Sequence, residues 1–332
     1  MVQWLQLSDE QRRTTIEQAS VNSGITSKAI EKDWWVTLVL KAIFQTPYAN
    51  HLLFKGGTSL SKSWKLIERF SEDIDIAIDR EYLGFGGKLT VSQIKRLKRK
   101  ACTFTSTTLK YALEQELIQL GVPPEMVTVS AADVPANRPD TDPQELRVVY
   151  PSLYDPISYI ADSVKIEVGA RSLKEPWSTR SIQSLLSEYF DNTMYTEIPF
   201  SVPTVEPVRT FLEKAFLLHE EFSKAAENIR HVRMSRHLYD LERLMDTEHG
   251  LQALQDIEFY NSIVEHRKHF HNVDIANHHP GNISFIPPEA IIEAYKKDFE
   301  TMIEQMIYGN GLSFTDVISR LKALTERFRK IV

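Results

Sequence analysis

The sequence predicts an α+β fold, with a mixed sheet flanked by helices over residues 1–198 and an all-helical domain over 199–332. Two observations carry this expectation. Short runs at Leu52–Phe54, Asp73–Ile78, Val127–Ser130, Leu146–Tyr150 and Ser163–Val168 are apolar or alternate with the period of a strand. From about Thr204 onward apolar residues recur at three and four, the spacing of amphipathic helices.

Bulk properties narrow the class before any motif is read. The chain has 332 residues, 42% hydrophobic and 25% charged, which suits a two-domain globular protein and excludes a disordered one. A net charge of −6 excludes a generally basic nucleic-acid coat, so any such contact needs a local patch. Cys102 is the single cysteine, so no intrachain disulfide or cysteine-rich zinc site forms. The N-terminus turns charged early, without a signal-peptide pattern, and no apolar run has the length of a membrane span. A cytoplasmic protein that makes no membrane contact is expected.

In chain order, Ser8 to Ala19 opens on a cap-like Ser-Asp-Glu and reads as a helix. Thr26 to Phe44 reads as a second, with Ile30, Trp34, Leu38 and Ile43 on one side and its tryptophans in the core. The strand ending at Phe54 then turns through Gly56, Gly57, Thr58 and Ser59 into an amphipathic helix carrying Leu60, Trp64 and Ile67. In the next strand Asp73 and Asp75 share one face while Ile74, Ile76 and Ile78 bury on the other.

Neighbouring carboxylates repel unless a cation neutralises them, and paired oxygen ligands suit Mg²⁺ bound together with substrate phosphates. A diglycine turn that opens a helix points backbone N–H groups outward and lets phosphate approach closely. Singly, Thr58 or Ser59 can be a helix cap, and two aspartates a solvated face. Together, a phosphate cradle and a metal-binding pair describe a nucleotide-transfer arrangement.

Gly56-Gly57-Thr58-x-Leu60 followed by Arg69-x-Ser71-x-Asp73-x-Asp75 resembles the first motif of the AbiEii/AbiGii toxin family, within the DNA polymerase β-type nucleotidyltransferase superfamily. The segment Ile30-Glu31-Lys32-Asp33-Trp34-Trp35 is similar to the one that precedes this motif in the family. The resemblance implies a polymerase β-type core, with the helical domain completing the active site. It also implies a third carboxylate on a neighbouring strand. Glu167 lies where the family places it, a surface-facing glutamate being the alternative and Asp162 the nearest competitor.

Beyond the Gly84-Phe85-Gly86-Gly87 loop, a helical pattern runs from Val91 to Leu120 and carries Lys95, Arg96, Lys98, Arg99 and Lys100. This basic run is either an RNA-backbone contact or a solvated helix face. A Pro/Asp/Asn-rich loop spans Pro135 to Pro143, a helix is expected at Ile182 to Tyr189, and Pro199 and Pro203 punctuate a connector at the domain boundary.

Thr204 or Glu206, with Pro207 just inside, starts a helix with Phe211, Ala215, Leu218 and Phe222 on one stripe. Lys214 falls inside that stripe, and a lysine on a packing face requires an anionic partner. Lys214 with the downstream Arg236-x-x-x-Asp240-Leu241 resembles the family's second block. By that resemblance Lys214 contacts nucleotide phosphates and Asp240 is an active-site or domain-contact carboxylate. The alternative for Asp240 is an intrahelical pair with Arg236. His237 departs from the acid often found there. His266, His269, His271, His278 and His279 match no zinc spacing, and closing helices are expected at Glu289 to Tyr308 and Phe314 to Phe328.

The expected chemistry is an Mg²⁺-dependent nucleotidyl transfer from an NTP. Asp73, Asp75 and Glu167 hold two ions. Gly56, Gly57, Thr58 and Ser59, with Ser71 of the same motif, bind the phosphates, and Lys214 and Arg69 add positive charge on the pyrophosphate side. The resemblance implies a toxin with a separately encoded antitoxin, and an RNA acceptor such as the tRNA 3′ end. A transferase acting on a protein or small molecule, or a catalytically silent nucleotide- or partner-binding module, are the alternatives.

Overall fold

The computed structural model describes the chain except positions 1, 136–139, 158–159, 172–175, 190–196, 272–274, 310 and 332. Part of the expected Pro135–Pro143 loop and of the histidine-rich stretch therefore lies outside the described residues. The chain divides into two compact units, 1–64 with 70–205, and 65–69 with 206–332.

The first unit contains seven strands: β1 (Leu52–Lys55), β2 (Asp73–Ile78), β3 (Thr128–Ala131), β4 (Gln144–Val149), β5 (Ser163–Gly169), β6 (Trp177–Ile182) and β7 (Phe200–Val205). They form one mixed sheet in the order β3-β4-β5-β2-β1-β7-β6. β2 lies at its centre, antiparallel to β1 and parallel to β5, with Asp75 opposite both Lys55 and Glu167. Ile74, Ile76, Val164, Ile166 and Val168 are fully buried on the opposite face.

Helices α1 (Asp9–Ser23), α2 (Ser27–Ile43), α3 (Gly56–Lys62), α4 (Val91–Thr103), α5 (Lys110–Gln119) and α6 (Leu185–Tyr189) complete this unit. Ser8 closes a capping box with Gln11 at the start of α1, and Thr26 caps α2. Helix α3 stops at Lys62, so Trp64 and Ile67 lie outside the amphipathic helix expected for them. Trp64 donates instead to the Val205 carbonyl at 3.1 Å, under the guanidinium of Arg180.

The expected helix from Val91 to Leu120 is broken by a π-helical stretch, Phe104–Leu109, between α4 and α5. Ser106 and Thr107 there donate their hydroxyls back to the Cys102 and Thr103 carbonyls, which competes with the regular helical ladder.

The residues of the expected connector at Pro199 and Pro203 mostly form a strand, β7, which belongs to the first unit's sheet and pairs with β6. A proline inside a strand removes a ladder donor, so the sequence gives little warning. Pairing of β7 with β1 is limited to Phe54 opposite Thr204, which leaves room for Pro203.

Helix α2 buries charge as well as tryptophan. Lys32 is 1% exposed and donates to the Ala161 and Ser163 carbonyls and to Glu72. Asp33 accepts from Lys62 and, at 2.7 Å, from the Leu185 amide. Glu31 accepts from Ser152 and from the Leu153 amide, and Lys28 pairs with Asp162. Each buried charge is thus matched, the condition under which such groups are tolerated.

In the second unit the described elements are helical: α7 (Pro207–Phe222), α8 (Ser235–Leu244), α9 (Glu248–Gln255), α10 (Ile257–His271), α11 (Ile292–Met306) and α12 (Phe314–Phe328), with short 3-10 turns. Asp298 on α11 accepts from the Arg233 and Ser235 amides and so caps α8. Glu220 pairs with Arg267 and with buried His278, which hold its carboxyl at about 2 although burial alone would raise it. His278 is accordingly a packing residue of this unit.

Candidate functional site

In the first unit the site is built on the polar face of β2 and β5. The register places Asp75 beside Glu167 and Asp73 beside Lys165, and directly opposed residues of paired strands share a face. Asp73, Asp75, Lys165 and Glu167 are all half-buried. Their position beside solvent, over a fully apolar opposite face, comes from strict alternation in both strands. On β4 the rows continue with Glu145 opposite Glu167 and Arg147 opposite Lys165.

Lys165 stands between two of the carboxylates, with its ammonium 3.5 Å from Asp73 and 2.8 Å from Glu167. These anions hold its pKa above the ordinary lysine value although burial opposes this. Among the described residues no three His, Cys, Asp or Glu side chains already converge as a metal cage. The carboxylates share a face, and a cation of the chain's own occupies the space between two of them.

The glycine turn meets this face directly. Gly56 has φ +80°, in the left-handed region, and a Cβ there would lie 1.9 Å from the Asp75 carboxylate oxygen Oδ2. Only glycine satisfies both the backbone and the close approach. The hydroxyls that follow serve a different purpose from the expected phosphate contacts. Thr58 and Ser59 are fully buried. Thr58 donates to the Asp73 carbonyl and its Oγ1 lies 2.9 Å from Ser71 Oγ, while Ser59 donates to the Gly56 carbonyl at 2.9 Å. They fasten the turn to the start of β2, and Ser71 takes part in that fastening.

The second unit carries a separate ionic cluster. Asp240 is fully buried and accepts from Arg69 Nε at 2.7 Å, from Arg69 Nη2 at 2.8 Å and from Lys214 Nζ at 2.8 Å. The anionic partner required by Lys214 is therefore Asp240, which Arg69 and Lys214 hold together. Burial would raise the Asp240 pKa, but Arg69 and Lys214 hold it far below the carboxylate range. Lys214 Nζ also lies 3.5 Å from His237 Nδ1, and burial with the nearby cations keeps His237 neutral. Arg69 is only 2% exposed and its fork is filled by Asp240, so it positions that carboxylate instead of presenting itself to phosphate.

Of the basic run on α4, Lys95, Arg96, Arg99 and Lys100 are exposed and Lys98 is half-buried. Asp162, the competitor of Glu167, is paired with Lys28. Lys165 was not anticipated. Its signal was its place two residues before Glu167 on the same face of an alternating strand, beside the aspartates.

A family model described as nucleotidyl transferase AbiEii toxin, type IV TA system, matches residues 38–328. No curated protein sequence matches. Among solved structures, one titled as the crystal structure of JHP933 from Helicobacter pylori is similar at 13% identity, covering 92% of this chain and 94% of that one, with a TM-score of 0.39.

Proposed function

This chain belongs to the AbiEii family of nucleotidyl transferase toxins of type IV toxin–antitoxin systems, and we propose that it transfers a nucleotide from an Mg²⁺-bound NTP to an RNA acceptor. The carrying observation is the pairing of Asp75 with Glu167 in the sheet register, which sets three carboxylates on one accessible face. An all-oxygen donor set suits Mg²⁺, and the absent Cβ at Gly56 leaves the Asp75 carboxylate room beside the turn. Asp73, Asp75 and Glu167 would hold the ions. Bound there, two Mg²⁺ would neutralise triphosphate charge and acidify the acceptor hydroxyl.

The chain's own residues divide the remaining work. Gly56 and Gly57 present backbone to the phosphates without a side chain in the way, and Thr58 and Ser59 hold that turn against β2. Lys214 is the cation that the family implies for the nucleotide phosphates, and within its own unit Asp240 holds its ammonium. The exposed basic face of α4 favours a polyanionic acceptor, the tRNA 3′ end being the class that the family implies, and the protein works beside an antitoxin. A polymerase β-type core followed by a helical second domain is the architecture this reading requires.

The test is transfer from each of four α-labelled NTPs to total bacterial RNA with Mg²⁺, comparing the native protein with Asp73→Ala. Label in a tRNA-sized band, from one NTP and with native protein alone, is expected. Label on protein or small metabolites would overturn the RNA acceptor. Equal label with Asp73→Ala would overturn the role of the carboxylates.

A further inference from the structure

The geometry points to Lys165 as a resident counter-ion that competes with the divalent metal for Asp73 and Glu167, so that metal binding requires the lysine to leave. This rests on the metal-binding reading of those carboxylates. Three observations carry it. The ammonium sits between Asp73 and Glu167, at 3.5 and 2.8 Å, and so takes up carboxylate oxygens that a metal would need. The register fixes the lysine on their face, since Lys165 is paired with Asp73 and is two residues from Glu167 on the same strand. The carboxylates do not yet converge as a cage, as expected of side chains arranged around an ammonium rather than around a smaller, doubly charged ion.

The arrangement has two consequences. Without metal, the lysine prevents the acidic face from repelling itself, so the first unit needs no ion in order to fold. With metal, two positive groups cannot share the same oxygens, so the lysine turns toward solvent or toward bound phosphate. Its side chain is 27% exposed, which leaves it an exit. Lys165 thus acts as a positioning residue that sets metal affinity and links metal loading to the release of one cation into the site.

The experiment is a titration of the full chain with Mn²⁺ alone, followed by calorimetry and by the free-ion resonance signal. Native protein, Lys165→Met, Lys165→Arg and Asp73→Ala are compared. Displacing the ammonium gives up its pairs with Asp73 and Glu167, and two unit-charge pairs at about 4 Å weaken metal binding by at least about tenfold even at the dielectric of water. Lys165→Met is therefore expected to bind Mn²⁺ at least about tenfold more tightly than native protein, and Lys165→Arg to remain weak. In chelator Lys165→Met melts below native protein, and Mn²⁺ raises its melting temperature by more than it raises the native value. Unchanged or weaker affinity in Lys165→Met, with Asp73→Ala still abolishing native binding, overturns the lysine's role and leaves the metal site standing. Absence of Asp73-dependent binding in both native protein and Lys165→Met overturns the metal site and this inference together.

Discussion

Asp240→Asn should destabilise the second unit strongly, because it removes the carboxylate that two buried cations share. Asn keeps the shape of the side chain but cannot neutralise Arg69 or Lys214, which are 2% and 7% exposed beside a carboxylate that is 0% exposed. Breaking a buried ion pair by deleting one partner costs about 3–5 kcal/mol. For a unit of this size that corresponds to a loss of about 11–18 °C in melting temperature. The pH dependence gives a second reading. A carboxyl whose folded pKa is depressed contributes stability that is present above the ordinary carboxylate pKa and lost as pH falls through the folded one. The deficit of Asp240→Asn should hold steady from neutral pH to about 5 and shrink only below about 4. A triple replacement, Arg69→Met with Lys214→Met and Asp240→Leu, should recover most of the loss, since an apolar cluster of similar volume needs no counter-charge. Urea and thermal denaturation followed by circular dichroism measure all three. If Asp240→Asn lies within about 1 kcal/mol of native, or the triple variant is less stable than the single, the cluster is not the internally balanced unit that its distances describe.

Three other outcomes follow from the same geometry. Gly56→Ala should lower transfer about 100-fold, the scale of an ångström-level misplacement at a reacting centre, because its Cβ meets Asp75 Oδ2 at 1.9 Å. A folded Gly56→Ala protein with native turnover would remove the turn from the site. Glu197 is buried and its pKa is pushed up to about 7, because burial outweighs the polar contacts of Ser184 and Trp34 and the nearby Lys62. A raised folded pKa favours the fold below the unfolded value and is lost as pH rises through the folded one. Glu197→Gln should therefore match native at pH 4 and exceed it by about 3 kcal/mol at pH 8 in denaturation, with an equal gap at both pH values refuting the assignment. Replacing Lys95, Arg96, Arg99 and Lys100 by Gln should lower transfer to RNA and flatten its salt dependence by as much as about 0.7 per charge, while melting stays within about 1 °C of native. An unchanged salt slope would mean that α4 is only a solvated face.

What the sequence could reveal divides along the range of the interactions involved. Alternation over six residues is enough to place Asp73 and Asp75 on one face, because strand geometry allows no other outcome once the isoleucines are buried. The need of Lys214 for an anion is legible for the same reason, since its position in an apolar helical stripe follows from a period of 3.6. The identity of that anion's other partner was not legible. Arg69 and Asp240 are 171 positions apart, and nothing local to either residue shows the bidentate contact. The hydroxyls of Thr58 and Ser59 mislead for a related reason. A Gly-Gly-Thr-Ser turn reads as phosphate-binding by composition, yet whether a hydroxyl faces ligand or backbone depends on a side-chain torsion set by the neighbouring strand. Strand β6 was hidden because this edge strand carries polar residues on both faces, Ser178 and Arg180 on one and Ser181 on the other, which blurs the alternation that identifies a strand. Lys165 lies between these cases. Its strand and face were readable, but its meaning depended on the register between β2 and β5, and one residue of slip would have sent it to the apolar core. The cation beside the carboxylates is thus a property of pairing, since the fold supplies Asp73 and Glu167 with a lysine that neither strand's own alternation assigns to them.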